Sequence, residues 1–373
     1  MSLDVIHSVG ASPSSVDLRR MDSHPDHWYP IAWSDQVKAG KMLACQYAGE
    51  PVAVIRGTDG KLFALENRCA HRQVPLTQGV VQGCTVKCGY HGWAYNAEGK
   101  CIDVPYLKDR LPNGVKKYLC REIDGLIFIF AGDPQYAESR MPPSLAAKAD
   151  RSYKTRRLNR EVAAHYTFLH ENLFDMNHQF LHRRQMGTIK ARCLGRRQGD
   201  DWAEVDYTFS RTDGASSIGE SAILGVVRTR EKGANRDLMT IRTEYPYQHL
   251  RVWVGDGAPV LHVWLGYIPL DKEQRRTRVF GYLSVKRPKI PGLIDIAWPF
   301  ITIFTEKIFR EDKDIMEMEQ AAHDAQGSDW NNEVFPPIND LRQVLARCGQ
   351  VNGSAGANGK TYSGTSDRAR EPA

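Results

Sequence analysis

The sequence predicts an α+β protein, with an N-terminal all-β domain followed by a domain in which an antiparallel sheet is flanked by helices. Three observations carry this reading. From residue 26 to about 140, short apolar runs are cut by turn signals. From Trp202 to Lys286, runs alternate apolar and polar residues, as a sheet with one buried face requires. Between and after these lie two stretches of good helix formers, Glu161–Arg184 and Leu293 to about Ala325.

The elements follow in order. Residues 1–25 are polar and mixed and read as a loosely ordered lead-in. In 26–140, P-V-A-V-I-R, T-D-G and K-L-F-A-L read as strand, turn and strand, and N-A-E-G-K as a hairpin signal. G-L-I-F-I-F before A-G-D-P reads as a further strand. The second domain is expected over 141–348. It opens with a Pro-bearing link to about Leu158, which leads into the helical stretch from Glu161. W-A-E-V-D-Y-T-F, D-L-M-T-I-R-T-E-Y, L-R-V-W-V and V-L-H-V-W-L-G-Y supply the sheet. Pro299 marks a kink or a start in the late helix. Residues 349–373 are rich in Gly, Ser and Ala and read as a disordered tail.

Composition narrows the function classes. At 373 residues, with 42% hydrophobic and 25% charged residues, the chain is an ordinary globular one of two-domain size. A formal net charge of +6 without a dense Lys/Arg block argues against nucleic acid as a partner. The basic pairs Lys116–Lys117, Arg183–Arg184 and Arg196–Arg197 read as solvated surface, or as a docking face for an acidic protein. No secretory signal is visible. The most apolar long run, Leu293–Phe304, is interrupted by Asp295 and Pro299 and is too short for a membrane span. A cytoplasmic protein is expected, in which eight cysteines are thiols or metal ligands rather than disulfides.

Two constellations carry chemistry. Cys69-Ala-His71 is followed after 16 residues by Cys88-Gly-Tyr-His91. Each pair offers a thiolate and an imidazole from one tight loop. Such a set suits tetrahedral zinc, or a 2Fe–2S cluster with two Cys on one iron and two His on the other. Cys84, four residues before Cys88, has no His at the right spacing and reads as a packed thiol. Cys45, Cys101, Cys120, Cys193 and Cys348 have no matching partners. In the second constellation, L-H-E-N-L-F-D-M-N-H-Q-F-L-H-R-R (169–184) reads as one helix. It places His178 and His182 four apart on one face, with Asp175 three residues before His178. A metal site or a capped polar helix fits that helix equally well on its own.

C-A-H-R-Q-V-P-L and C-G-Y-H-G-W-A-Y-N-A-E-G-K resemble the two cluster loops of Rieske proteins. The pairing of both constellations resembles the catalytic (terminal oxygenase) α subunit of the Rieske non-haem iron oxygenases, over residues 26 to about 340. The resemblance implies a Rieske 2Fe–2S cluster on Cys69, His71, Cys88 and His91. It also implies a mononuclear Fe(II) held by His178, His182 and a carboxylate from F-R-E-D-K-D-I-M-E-M-E-Q. Asp312 is the best match for that carboxylate, Asp314 the next and Glu311 the third. The three residues between the two His, where most family members have four, resemble carbazole-dioxygenase-like members. Asp175 resembles the family's bridging carboxylate, which would join His178 to His91 of the next subunit in a homotrimer. Asn172 is a further polar group expected near the iron.

The implied activity is O₂-dependent hydroxylation, dihydroxylation or oxidative dealkylation of an organic substrate. The alternative is a Rieske-type electron carrier without oxygenase activity. With no G-x-G-x-x-G fingerprint in the sequence, NAD(P)H would act through a separate reductase or ferredoxin. Phe174, Phe180, Trp253, Trp264, Tyr267, Phe300, Ile303 and Phe304 are candidate cavity walls, and His262 lies on a run that could face the substrate. Such walls point to an aromatic or polycyclic substrate.

Overall fold

The computed structural model describes residues 16–107, 111–143, 150–213, 237–255 and 257–351, with positions 145, 148, 220, 221 and 223. After a short strand β1 (Met21–Asp22), the first domain is built from β2 (Trp28–Trp33), β3 (Lys41–Tyr47), β4 (Glu50–Arg56) and β5 (Leu62–Glu66). The short strands β6 (Val80–Gln82), β7 (Thr85–Lys87), β8 (Ala94–Asn96) and β9 (Cys101–Asp103) follow. β10 (Lys117–Ile123) and β11 (Leu126–Phe130) close the domain. The longer strands form an antiparallel sheet in the order β2-β11-β10-β5-β4-β3, and β6 to β9 form a separate four-stranded sheet. The short sheet and the end of β5 carry the two Cys/His loops.

β2 and β11 are buried along their whole lengths. That explains why W-Y-P-I-A-W and L-I-F-I-F do not alternate: one face meets the first domain's interior and the other meets the second domain. Trp28 and Phe128 share one core with Tyr247, Trp264 and Phe280 of the second domain. Tyr247 donates its hydroxyl to the Trp28 carbonyl, and Tyr282 donates to the Asp124 carbonyl at 2.8 Å. Gly266 permits the approach, since a Cβ there would lie 2.8 Å from Pro30 Cγ.

The second domain is a seven-stranded antiparallel sheet. Its strands are β12 (Tyr153–Val162), β13 (Thr188–Gln198), β14 (Trp202–Asp213), β15 (Asp237–Glu244), β16 (Tyr247–Val254), β17 (Leu261–Pro269) and β18 (Thr277–Lys286). The spatial order is β12-β18-β17-β16-β15-β14-β13. One face is covered by α1 (Tyr166–Phe174), α3 (Leu293–Gln326) and α4 (Pro336–Cys348), and a single turn, α2 (Arg183–Met186), lies beside them. The helix α3 runs through Pro299. Among the described residues, no helix is long and apolar enough to cross a membrane.

Three expectations are corrected. The lead-in is not loose from Leu18 onward: Leu18 and Met21 are core residues, and Met21–Asp22 pairs with β19 (Gln350–Val351). That strand in turn lies within the stretch read as tail. Arg19 lies 3.5 Å over the Phe168 ring and bonds Glu171, so its partners are about 150 residues away. The link before Leu158 contains most of β12. Its Lys and Arg residues disguise it, as is common for a sheet edge. The helix from Glu161 is the third correction, taken up with the site below.

Five histidines, three buried and two half-buried, make stability pH-dependent. Burial lowers His27, His165, His170 and His249 to about 3, and His262 to about 4. They are neutral in the fold and titrate near 6.5 when unfolded. Their contribution is therefore complete above pH 6.5 and is lost as the pH falls toward 4, at about 1.4 kcal/mol per pH unit for each group. Urea midpoints are expected to be level from pH 8 to 7 and to fall steeply below 6.5. A level profile down to pH 5 would show that these rings are hydrated.

Candidate metal centres

The two Cys/His loops repeat one turn. In the first, Cys69 N–H donates to the Val74 carbonyl at 2.9 Å, and Gln73 N–H donates to the Cys69 carbonyl at 2.9 Å. In the second, Cys88 N–H donates to the Trp93 carbonyl at 2.8 Å, and Gly92 N–H to the Cys88 carbonyl at 3.1 Å. The fifth residue of each loop is left-handed, with φ 60° at Gln73 and 74° at Gly92. The result is a two-fold clasp. Cys69 and Cys88 are buried in the domain core, while His71 and His91 stand exposed with ring centroids 4.5 Å apart. Trp93 stacks on His71 at 4.7 Å, and Tyr90 lies 3.8 Å from His91. Burial and the adjacent Cys69 thiol push Cys88 up, so two thiolates here call for a cation between them. Cys84 faces away and bonds Asp59 at 3.0 Å.

Tyr95 is a functional residue that the Cys/His spacing does not point to. Ala70 N–H donates to its hydroxyl oxygen at 3.1 Å, so the hydroxyl proton is free to point at Cys69 Sγ, 3.1 Å away. Such a bond stabilises a reduced cluster, whose sulfurs carry more negative charge, over an oxidised one. Tyr95→Phe is expected to lower the cluster potential by about 60 mV, the one-electron equivalent of one tenfold step. Redox titration followed by EPR measures it, and an unshifted midpoint would mean that the hydroxyl proton points elsewhere.

The second centre lies where the expected single helix breaks. α1 ends at Phe174, Met176–Phe180 is a 3-10 turn, and His182 precedes α2. Asp175 causes the break, because its carboxylate accepts Asn177 N–H at 2.8 Å and starts a new turn. Tyr207 pins the end of α1 by donating to the Phe174 carbonyl at 3.0 Å. Glu171 holds the same helix between Arg19 and Arg342.

The break turns both imidazoles toward α3. His182 Nε2 lies 3.0 Å, and His178 Nε2 3.7 Å, from Asp312 Oδ1. One donor atom from each of the three residues lies within 4.8 Å of the others. The opposite ring nitrogens are engaged: His178 Nδ1 by the Asp175 carbonyl, and His182 Nδ1 by Glu311 Oε2 at 2.8 Å. Both Nε2 lone pairs are thereby directed inward. His182 Nε2 and Asp312 Oδ1 are buried, and neither has a hydrogen-bond partner of proper geometry. Burial opposes charge on His182, yet the flanking Asp312 and Glu311 raise its pKa. Two imidazoles and one carboxylate, with two orphaned buried atoms facing each other, fit a divalent metal.

Asp312 is therefore the acid that faces the pair. Glu311 orients His182 from the far side, and Asp314 is exposed. Asn172 and Asp312 both line a cavity of about 60 Å³, with Leu173, Leu265, Tyr267 and Phe309 among its walls. Of the expected wall residues, Tyr267 is there. Trp264 packs in the interdomain core, Phe174 lies in the core of the second domain, and Phe180, Phe300 and Ile303 face solvent. Trp253, Phe304 and His262 do not line it. His262 instead stacks on His249. His165 caps α1 and bonds the Met21 carbonyl at 3.0 Å, and His170 is enclosed by Tyr166, Tyr245 and Tyr267. The Asp175 carboxylate does not touch His178 within the chain.

Each of the two domains matches a family of known proteins. The family model for the Rieske [2Fe-2S] domain matches residues 27–119, and that for the vanillate O-demethylase oxygenase C-terminal domain matches 162–342. A 4beta-methylsterol monooxygenase of Methylococcus capsulatus is 28% identical over 349 residues, covering 89% of this chain and 90% of the relative. The toluene-4-sulfonate monooxygenase iron-sulfur subunit TsaM1 of Comamonas testosteroni is 31% identical over 169 residues, covering 45% of this chain and about half, 49%, of that relative. The crystal structure of dicamba monooxygenase bound to dicamba superposes with a TM-score of 0.68 at 20% identity, covering 87% of this chain and 98% of that one. With a Rieske domain and an oxygenase domain in one chain, the protein belongs to the Rieske non-haem iron oxygenases, as a terminal oxygenase subunit.

Proposed function

We propose that this chain oxygenates an apolar, polycyclic organic substrate at an iron held by His178, His182 and Asp312. Electrons would arrive through a cluster held by Cys69, His71, Cys88 and His91. One observation carries the reading: donors from two distant segments converge beside an apolar cavity, with both Nε2 atoms turned inward. When bound, the cluster stores an electron and the mononuclear iron supplies an open site for O₂. The chain's own part is positional. Glu311 and the Asp175 carbonyl fix the two ring tautomers, Asn172 adds a polar group to the cavity, and Leu173, Leu265 and Phe309 exclude water. The oxygenase domain matched over 162–342 beside the Rieske domain favours an oxygenase over a pure electron carrier.

The polycyclic reading is supported by the relative matched over 90% of its length, whose name gives a methylsterol as its substrate. The small cavity fits the reacting end of such a molecule. Exposed His71 and His91 suit docking against a second copy in a homotrimer, with Asp175 of one subunit reaching the cluster of the next. A separate ferredoxin or flavin reductase would supply electrons from NAD(P)H. Eight free cysteines fit a cytoplasmic setting.

Protein loaded with iron and supplied with NADH and a reductase is expected to insert an atom from isotopically labelled O₂ into a sterol. His178→Ala is expected to abolish insertion and to keep the cluster's EPR signal. Labelled product at an undiminished rate from His178→Ala would refute this site.

A further inference from the structure

We propose that the outer face of the first three turns of α3 is a docking surface for an anionic lipid surface, from which the substrate is taken. The proposal rests on the polycyclic, lipid-like substrate read above. Ile296, Phe300 and Ile303, at i, i+4 and i+7, form one outward row and are 73%, 51% and 56% exposed. Ile290, just before the helix, is 61% exposed. The opposite side of the same turns, Ile294 and Ile301, is buried against the sheet. This helix is thus apolar on both sides for three turns, whereas further along its outer face carries Lys307, Arg310 and Asp314. An exposed contiguous apolar row of this kind marks an interaction surface.

The charges around the row select the partner. Arg287 and Lys289 precede it and Lys307 and Arg310 follow it, all exposed. The acid beside it, Asp295, is already paired with Lys154 at 2.5 Å and lies 3.9 Å from Arg287. Among the described residues, Lys289, Lys307 and Arg310 have no ion-pair partner. An apolar row rimmed by unpaired cations matches lipid chains beneath anionic headgroups. The same helix carries the site on its inner face. Ile303 is six residues, about 9 Å along the helix axis, from Phe309, which borders the cavity with Asp312 and Lys313.

The test uses the iron-loaded full chain and sedimentation with vesicles of phosphatidylcholine, alone or with phosphatidylglycerol. Binding is expected to the anionic vesicles and to weaken with salt. The triple variant Ile296→Ser/Phe300→Ser/Ile303→Ser is expected to lower partitioning about tenfold, and Lys289→Glu/Lys307→Glu to lower it as well. With a sterol embedded in vesicles the triple variant is expected to lose turnover, and with the sterol delivered in cyclodextrin to keep it. Equal partitioning of wild type and triple variant overturns the proposal. So does loss of a self-association in the variant without any vesicle binding. Vesicle binding that depends on the row, without sterol oxidation, upholds the docking surface and overturns only the substrate reading.

Discussion

Asp312→Ala is expected to remove one equivalent of iron per chain, leave the cluster's two irons and EPR signal in place, and lower oxygenation at least about 100-fold. The reasoning is electrostatic. Among the described residues, Asp312 Oδ1 is the one anionic atom facing both Nε2 atoms, 3.0 and 3.7 Å away, and it is buried. Without it two neutral imidazoles would have to hold a dication in a poorly hydrated place, where the missing charge costs most. The neighbours grade the effect. Glu311→Ala removes the acceptor for His182 Nδ1–H and a longer bond from Gln185 Nε2, an outer-partner loss that costs about 10–100-fold in metal affinity or activity. Asp314→Ala changes an exposed acid and is expected to be silent. The order Asp312 ≫ Glu311 > Asp314 is measured by iron analysis and turnover on one set of preparations. Equal losses at 312 and 314 would show that the acidic run acts only through its total charge.

That ordering also shows where sequence runs out. The four cluster residues are legible because each Cys/His pair lies within one five-residue loop, so spacing nearly determines geometry. Choosing among Glu311, Asp312 and Asp314 requires the rotation of α3 about its axis, which is set by the burial of Ile301, Thr305 and Met316 against distant strands. The sheet strands from Trp202 onward are legible because alternation records a half-buried face. β12 is not, because an edge strand tolerates K-T-R-R-L-N-R and no longer looks apolar. The packing of Leu18–Arg20 is not legible either, since it depends on Phe168 and Glu171. The break at Asp175 is the most instructive miss. An Asp near the middle of the stretch 169–184 reads as one more position of a continuous helix, but the same side chain is a good cap. Its choice to cap aims both imidazoles at α3.

Asp175 then has two separable jobs, and Asp175→Asn separates them. Asparagine caps about as well as aspartate, so the bond to Asn177 N–H and the turn carrying His178 are expected to survive. Iron content, cluster spectra and thermal midpoint should match wild type. What the variant loses is negative charge at a half-buried position beside Glu171 and Glu333, on the face proposed to receive the next subunit's exposed His71 and His91. A carboxylate there would accept a charge-assisted hydrogen bond from a cluster imidazole, orient it and shorten the electron path. The amide makes a weaker version of that bond. Electron transfer from reduced cluster to iron in a single turnover, followed by the cluster's absorbance, is therefore expected to slow by about 100-fold. Asp175→Ala supplies the contrast. It loses both cap and charge, so its thermal midpoint should fall by the equivalent of about 1 kcal/mol while its transfer rate falls at least as far as that of Asn. If the Asn variant transfers electrons at the wild-type rate and only Ala is slow, the residue acts through the local turn alone and the bridging role is wrong. If both are slow and only Ala is destabilised, the charge itself carries the coupling between subunits.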